Sequence, residues 1–192
     1  MFKKAAMFGL DARIALAIFG ALSVISGAAL YSAIQESKVI ATVVDLNEAN
    51  KAWEAYYLDT GVEVPYGSVG IYDSSYLVED NSVSGWNGPY LPFVKDSSSP
   101  LRIKHNNYSQ LLFVNAKDET WGEGGDDWTD HLCPSGGDKC YSWSMLIGSK
   151  DLSFVKALDL KIDGVDNAQE GNFRYYSSGG VYRLVLKNIK YK

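Results

Sequence analysis

The chain has 192 residues, of which 46% are apolar and 21% charged, and a formal charge of −5; that is enough for one domain with a packed core and an accessory segment. An acidic chain without a basic stripe has nothing to neutralise a phosphate backbone, so no nucleic-acid partner is expected. There is no GxxxxGK[ST] phosphate loop and no HExxH motif, which argues against nucleotide hydrolysis and zinc proteolysis.

Lys3 and Lys4 open the chain, Asp11 and Arg13 follow, and Ile14 to Ile34 is a run of 21 residues without a charge. As a helix at 1.5 Å per residue this run would span about 31 Å, the thickness of a bilayer's hydrocarbon core. The basic residues before it and Gln35-Glu36 after it leave the N-terminus cytoplasmic and send the rest outward. Arg13 lies near enough to the end of the run to snorkel to the interface. An ordinary export signal also has a basic start and an apolar core, but rarely an acid such as Asp11 between them.

The helical pattern continues past the apolar run. Leu30, Ile34, Ile40, Val43, Val44, Trp53, Tyr56 and Tyr57 recur at three- and four-residue spacings among polar residues, which predicts an amphipathic helix growing out of the membrane segment. Thr60-Gly61 is a stop signal with Pro65 beyond it. One helix from about Leu10 to Leu58, roughly 50 residues, is far longer than the globular average.

A short Lys-bearing leader (MFKKAA), a small residue at its end, an acid soon after it and a long, half-membranous helix resemble the type IV pilins and pseudopilins. The resemblance implies that a prepilin peptidase removes residues 1–6 by cutting between Ala6 and Met7, and that the new amine at Met7 is methylated. Asp11 then falls where the family keeps a glutamate, and Gly20 where it usually keeps a glycine. In such filaments each membrane helix enters a hydrophobic bundle, where a neighbour's carboxylate neutralises the new α-amino group. An unpaired charge there would be very costly. Asp11 is thus expected to act in assembly; an interfacial carboxylate near the lipid head groups is the plainer reading. Small residues at Gly20, Ser23, Ser26 and Gly27 suit close approach of neighbouring helices.

Beyond Gly61 the long helical period ends, and residues 61–192 read as a β-rich globular domain. Val62 to Ser99 is a loop-rich stretch holding GWNGPYL (Gly85 to Leu91). With YYLDTG at the helix end, this segment looks like the major pseudopilin of type II secretion; a turn with aromatics packed under it is the structural reading of Trp86, Pro89 and Tyr90. Strands are predicted over Leu101 to Lys104, Tyr108 to Asn115, Tyr141 to Gly148, Phe173 to Ser177 and Val181 to Lys187, with Ser177-Ser178-Gly179-Gly180 as a hairpin turn. Leu152 to Leu160 reads as a short helix with Ser149 or Asp151 near its start. The fold class is α+β and pilin-like: a long N-terminal helix, its membrane part at 14–34, packed on a C-terminal antiparallel sheet.

Cys133 and Cys140 are separated by PSGGDK, a loop flexible enough to bring the two Cα atoms within bridging distance. In an exported chain such a pair reads as a disulfide, with free thiols as the other reading. His105 and His131 lie in polar stretches and read as surface residues. Two acidic loops stand out. DETWGEGGDDWTD (Asp118 to Asp130) has six carboxylates and no basic residue. The second places Asp159, Asp163, Asp166 and Glu170 near one turn, where hard oxygen donors suit Ca²⁺; a solvated acidic surface is the commoner outcome. No cofactor is required.

Three functions compete. The resemblance implies a structural subunit without catalytic residues, inserted in a bacterial inner membrane as a precursor. It would then polymerise with copies of itself, through a filament assembly machinery, into a type IV pilus-like filament or a type II secretion pseudopilus, periplasmic or at the cell surface. A single-pass membrane protein with a periplasmic sensor or binding domain would keep its leader and need no Asp11. A secreted hydrolase would need a site, and the sequence has no GxSxG motif.

Overall fold

The computed structural model describes residues 5–122, 126–133 and 139–190. They form an α+β chain with a long N-terminal helix and an antiparallel sheet, and they divide after Ile40 into two units. Lys3 and Lys4 lie outside the described residues, as do Glu123 of the first acidic loop and residues 134–138 between the cysteines.

Helix α1 runs from Ala5 to Thr60, 56 residues. No proline interrupts it, and Ala, Leu and Ile dominate its first half, so every backbone group from the second turn onward finds a helical partner. In the first unit, residues 11–34 are exposed on all sides, including Ile14, Leu16, Phe19, Leu22, Val24 and Ile25. A helix this apolar all round is one that water does not solvate well. Among the described residues it is the one helix long and apolar enough to cross a membrane. Within the described residues the helix is already formed at Ala5, ahead of its predicted Leu10, where Ala5 and Ala6 favour it.

In the second unit, α1 buries Leu46, Ala49, Ala52, Trp53 and Tyr56, a stripe at the three- and four-residue spacings of one helical face. The helix stops where Gly61 N–H donates to the Tyr57 carbonyl at 2.9 Å and Thr60 Oγ1 donates to the Tyr56 carbonyl at 2.8 Å. The sheet that follows consists of β1 (Tyr66–Ser68), β2 (Ile71–Tyr72), β3 (Val94–Lys95), β4 (Ile103–Lys104), β5 (Gln110–Lys117), β6 (Cys140–Ser149), β7 (Phe173–Ser178) and β8 (Val181–Lys190). Its order is β1-β2-β5-β6-β8-β7, with the β3–β4 pair attached to β5, and every pairing is antiparallel. Helix α2 (Leu152–Asp163) joins β6 to β7.

The period of two sorts β5 between two faces. Phe113 points to the α1 side and meets Trp53 at 5.0 Å between ring centroids. Leu112, Val114 and Ala116 face the other way, into a cluster with Trp121, Trp128, Trp143, Met145, Tyr176 and Val185. Both faces of the sheet are therefore covered, and β5 reads as a continuous apolar run because of it. The last hairpin closes on Ser178 opposite Val181, with Gly179 and Gly180 at φ 63° and 76°. Two successive positive φ values make the tight turn whose twist matches the strands, and glycine adopts them without a Cβ clash.

Several boundaries differ from the sequence expectation. Two short strands, one 3₁₀ turn (Ser74–Leu77) and β3 occupy the stretch read as loop; each is too short to show a period. The strand predicted from Leu101 begins at Ile103, Leu101 lying over Gly67 instead. The strand predicted from Tyr108 begins at Gln110, because Asn107 and Tyr108 form a turn with His105. Helix α2 continues to Asp163 and ends at Gly164, whose N–H donates to the Leu160 carbonyl at 3.1 Å. Its N-cap is Asp151, which accepts from Ser153 and Phe154 N–H.

Candidate functional site

Asp11 is exposed on α1, and Gly20 lies nine residues on in the same helix with no heavy atom near the position a Cβ would take. Gly20 therefore leaves a notch in an otherwise apolar helix surface. For Ala6 and Met7 only a helical backbone is described.

GWNGPYL folds against the end of α1. Trp86 Nε1 donates to the Tyr76 carbonyl at 2.8 Å, and Tyr90 donates to Asp59 Oδ2 at 3.0 Å. Tyr90 packs between Tyr56 and Trp86, each 5.8 Å away by ring centroid. Gly85 has φ 84°, and a Cβ there would run into the Asp59 carbonyl, so only glycine lets this segment approach the helix so closely. The Gly88–Pro89 bond is cis. The segment is a clasp on the last turn of α1, in line with its reading as a turn over packed aromatics.

Cys133 and Cys140 are bonded, with Cα atoms 5.9 Å apart. Leu132 bridges to Ala116 of β5 and Cys140 opens β6, so the disulfide pins the 118–133 segment to the sheet it covers. Cys140→Ser is expected to lower stability by roughly 2–3 kcal/mol, the loop-closure entropy of so short a ring. Thiol labelling of unreduced, denatured protein should find no free thiol; two per chain would contradict the bond.

The first acidic loop, read from sequence as an ion site or solvated surface, is solvated at Glu119 and Asp130, whereas Asp118 turns to protein donors. Asp118 Oδ1 accepts from Arg174 Nη2 at 2.7 Å, and its Oδ2 from Lys187 Nζ at 3.1 Å. The Arg174 guanidinium lies 4.7 Å from both the Trp121 and Trp143 ring centroids. This buried arginine is held by two cation–π faces and one carboxylate. Asp127 caps the 3₁₀ turn Trp128–His131. His131 sits between Glu119 and Asp126, its ring nitrogens 3.5 and 2.9 Å from their oxygens. Neither histidine is the surface residue expected: His131 is largely covered, and His105 is 4% exposed. Polar sequence neighbours conceal this, since burial comes from residues distant in the chain.

The second acidic loop also uses its carboxylates on protein donors. Asp163 accepts from Phe173 N–H at 2.7 Å and from Asn172 Nδ2 at 3.1 Å. Asp166 accepts from Lys156 Nζ at 2.8 Å and Tyr175 OH at 2.7 Å, and these bonds hold its carboxyl below the usual range. Glu170 accepts from Asn167 Nδ2 at 3.2 Å, and Asp159 from Asn167 N–H at 2.7 Å. These bonds tie α2 to the start of β7. Among the described residues no three His, Cys, Asp or Glu side chains are grouped to hold a metal ion.

Asp159 is fully buried. Burial first, then the charges of Asp163 and Asp166, push its carboxyl up to about 6 against the Asn167 hydrogen bond. The folded state thus binds the proton more tightly than the unfolded one. The resulting stability is fully present below about pH 4 and is lost as pH rises through about 6. Asp159→Asn keeps the acceptor for Asn167 and removes the charge. Urea unfolding should show the variant gaining on the wild type by up to about 3 kcal/mol between about pH 4 and 7.5; parallel pH profiles would refute a raised carboxyl.

The grouping of Asp118 with Arg174 and Lys187 is not visible in the sequence, nor is the burial of His105, although Arg174 sharing a strand face with buried Tyr176 is an available signal. No family model, curated protein or solved structure matches this chain.

Proposed function

We propose that the chain is the structural subunit of a helical filament of the type IV pilin and pseudopilin kind, assembled from a membrane. The observation that carries this reading is α1 itself. One uninterrupted helix is exposed over 11–34, uncharged over 14–34, and supplies core residues Leu46, Trp53 and Tyr56 to the domain. The apolar half of such a helix needs a cover, either lipid or copies of itself. Asp11 supports the filament form, because it lies where the resembled family keeps its assembly carboxylate, and a carboxylate drawn into a packed helix bundle needs a counter-charge. The disulfide suits an oxidising compartment. Between the two filament kinds, the resemblance of GWNGPYL leans towards the secretion pseudopilus and the Cys133–Cys140 loop towards the pilus.

N-terminal mass analysis of membrane and filament fractions tests the proposal. A mature chain starting at N-methylated Met7 is expected. Met1 retained in purified filaments would refute the cleavage. A Met1 chain found in membranes and never in filaments would refute the filament and favour a membrane-anchored binding domain, and a start near Ala29 would favour a released enzyme.

A further inference from the structure

His105 is a buried imidazole whose two nitrogens have opposite surroundings. Nδ1 accepts from the backbone N–H groups of Asn107 at 3.1 Å and Tyr108 at 3.3 Å. A nitrogen that accepts carries a lone pair, so the ring is neutral with its proton on Nε2. Nε2 faces Asp45 Oδ2 on α1 at 3.5 Å. One residue pair further along, Thr42 Oγ1 of the same helix bonds Tyr108 OH at 2.7 Å. The 105–108 turn therefore meets α1 at two places one turn apart, by a hydrogen bond at Thr42 and a longer polar contact at Asp45, and the imidazole organises that turn.

We propose that His105 is an acid-released latch: protonation of Nδ1 replaces the acceptor of two backbone N–H groups by a third donor, and the 105–108 turn lets go of α1 at Thr42 and Asp45. Three elements pack around the ring. Helix α1 brings Asp45, the segment leading into β3 brings Phe93 at 4.6 Å, and the turn brings Tyr108 at 5.3 Å between centroids. Asp45 is thus the charged group facing the ring and Tyr108 the other titratable one. Tyr108 is pushed up by burial and stays a phenol throughout. Asp45 attracts an imidazolium, but burial outweighs it and holds the imidazole below its ordinary value. The unfolded turn accordingly takes the proton first. Latch stability is full above about pH 6.5 and falls as pH drops below it. Burial raises the Asp45 carboxyl, with His105 opposing, so Asp45 works the other way as it becomes protonated. The closing force therefore comes from the turn's N–H groups and not from the ion pair. The inference does not rest on the filament reading.

Amide hydrogen exchange on the full chain in detergent tests it, with rates corrected for intrinsic exchange. Between about pH 7.5 and 5, protection of the Asn107 and Tyr108 amides is expected to fall about tenfold more than that of β5 and β6 amides. His105→Asn supplies an Oδ1 acceptor for the N–H two residues on, as in an Asx turn, but takes no proton. Its protection should not depend on pH. Equal protection of the wild-type turn at both pH values would overturn the proposal, as would a pH-dependent loss in His105→Asn equal to the wild type's. If that variant does not fold, nitrogen chemical shifts of the wild-type ring decide. A proton on Nε2 alone near pH 7.5 supports the latch, and a protonated Nδ1 there overturns it.

Discussion

Asp11→Ala is expected to leave a stable, membrane-bound subunit that forms few or no filaments. Asp11 is exposed in the isolated chain, and the uncharged run from Ile14 begins three residues after it. In the proposed filament, each subunit would bury its new α-amino group among packed helices, with a neighbour's carboxylate as the counter-charge. Removing one partner of a buried ion pair strands the other, which costs several kcal/mol per contact. A filament repeats that contact at every subunit, so loss of assembly should be nearly complete. The second unit, residues 41–192, contains none of these groups, and its melting temperature should not move. Sheared-filament yield against total membrane-bound subunit is the measurement. Normal yield from Asp11→Ala would end the argument for the acid, and Arg13 would become the charge to explain.

Trp53→Ala should be the most damaging single change to the domain. The indole is 2% exposed, edge-on to Tyr72 at 4.6 Å and tilted on Phe113 at 5.0 Å. It thus joins α1 to a short strand and a central one. Truncating a buried tryptophan leaves a cavity and costs about 3–5 kcal/mol, a large part of a domain's net stability of about 5–15 kcal/mol. At about 2–4 °C per kcal/mol the melting temperature should drop by roughly 10–15 °C. Leu58→Ala is the control: Leu58 is 79% exposed and should change stability by no more than about 0.5 kcal/mol. Equal effects of the two would mean that α1 does not carry the core.

Local pattern carries much of this architecture. Period and length make α1 legible from Leu10 to Leu58, since apolar spacing and the absence of proline act within a few residues of each other. The last hairpin is legible because Gly179-Gly180 meets a local φ requirement, and the cysteine pair because seven residues close a ring with little freedom. Strands β5, β6, β7 and β8 show as short stretches rich in apolar and aromatic residues bounded by turn signals. What the amino-acid order determines by itself is thus a long helix, a set of strands and the covalent link.

Tertiary structure decided the fate of the charges. Asp118 is an acid in a run of acids until Arg174 and Lys187, 56 and 69 residues away, arrive from two other strands. Asp163 and Asp166 look like ion ligands until the N–H of Phe173 and the hydroxyl of Tyr175 take their oxygens. His105 has polar neighbours, yet Phe93 and α1 bury it. The reason is physical. Backbone conformation responds to neighbours along the chain, whereas the solvation and partners of a charged side chain depend on what the fold brings within a few ångströms of it.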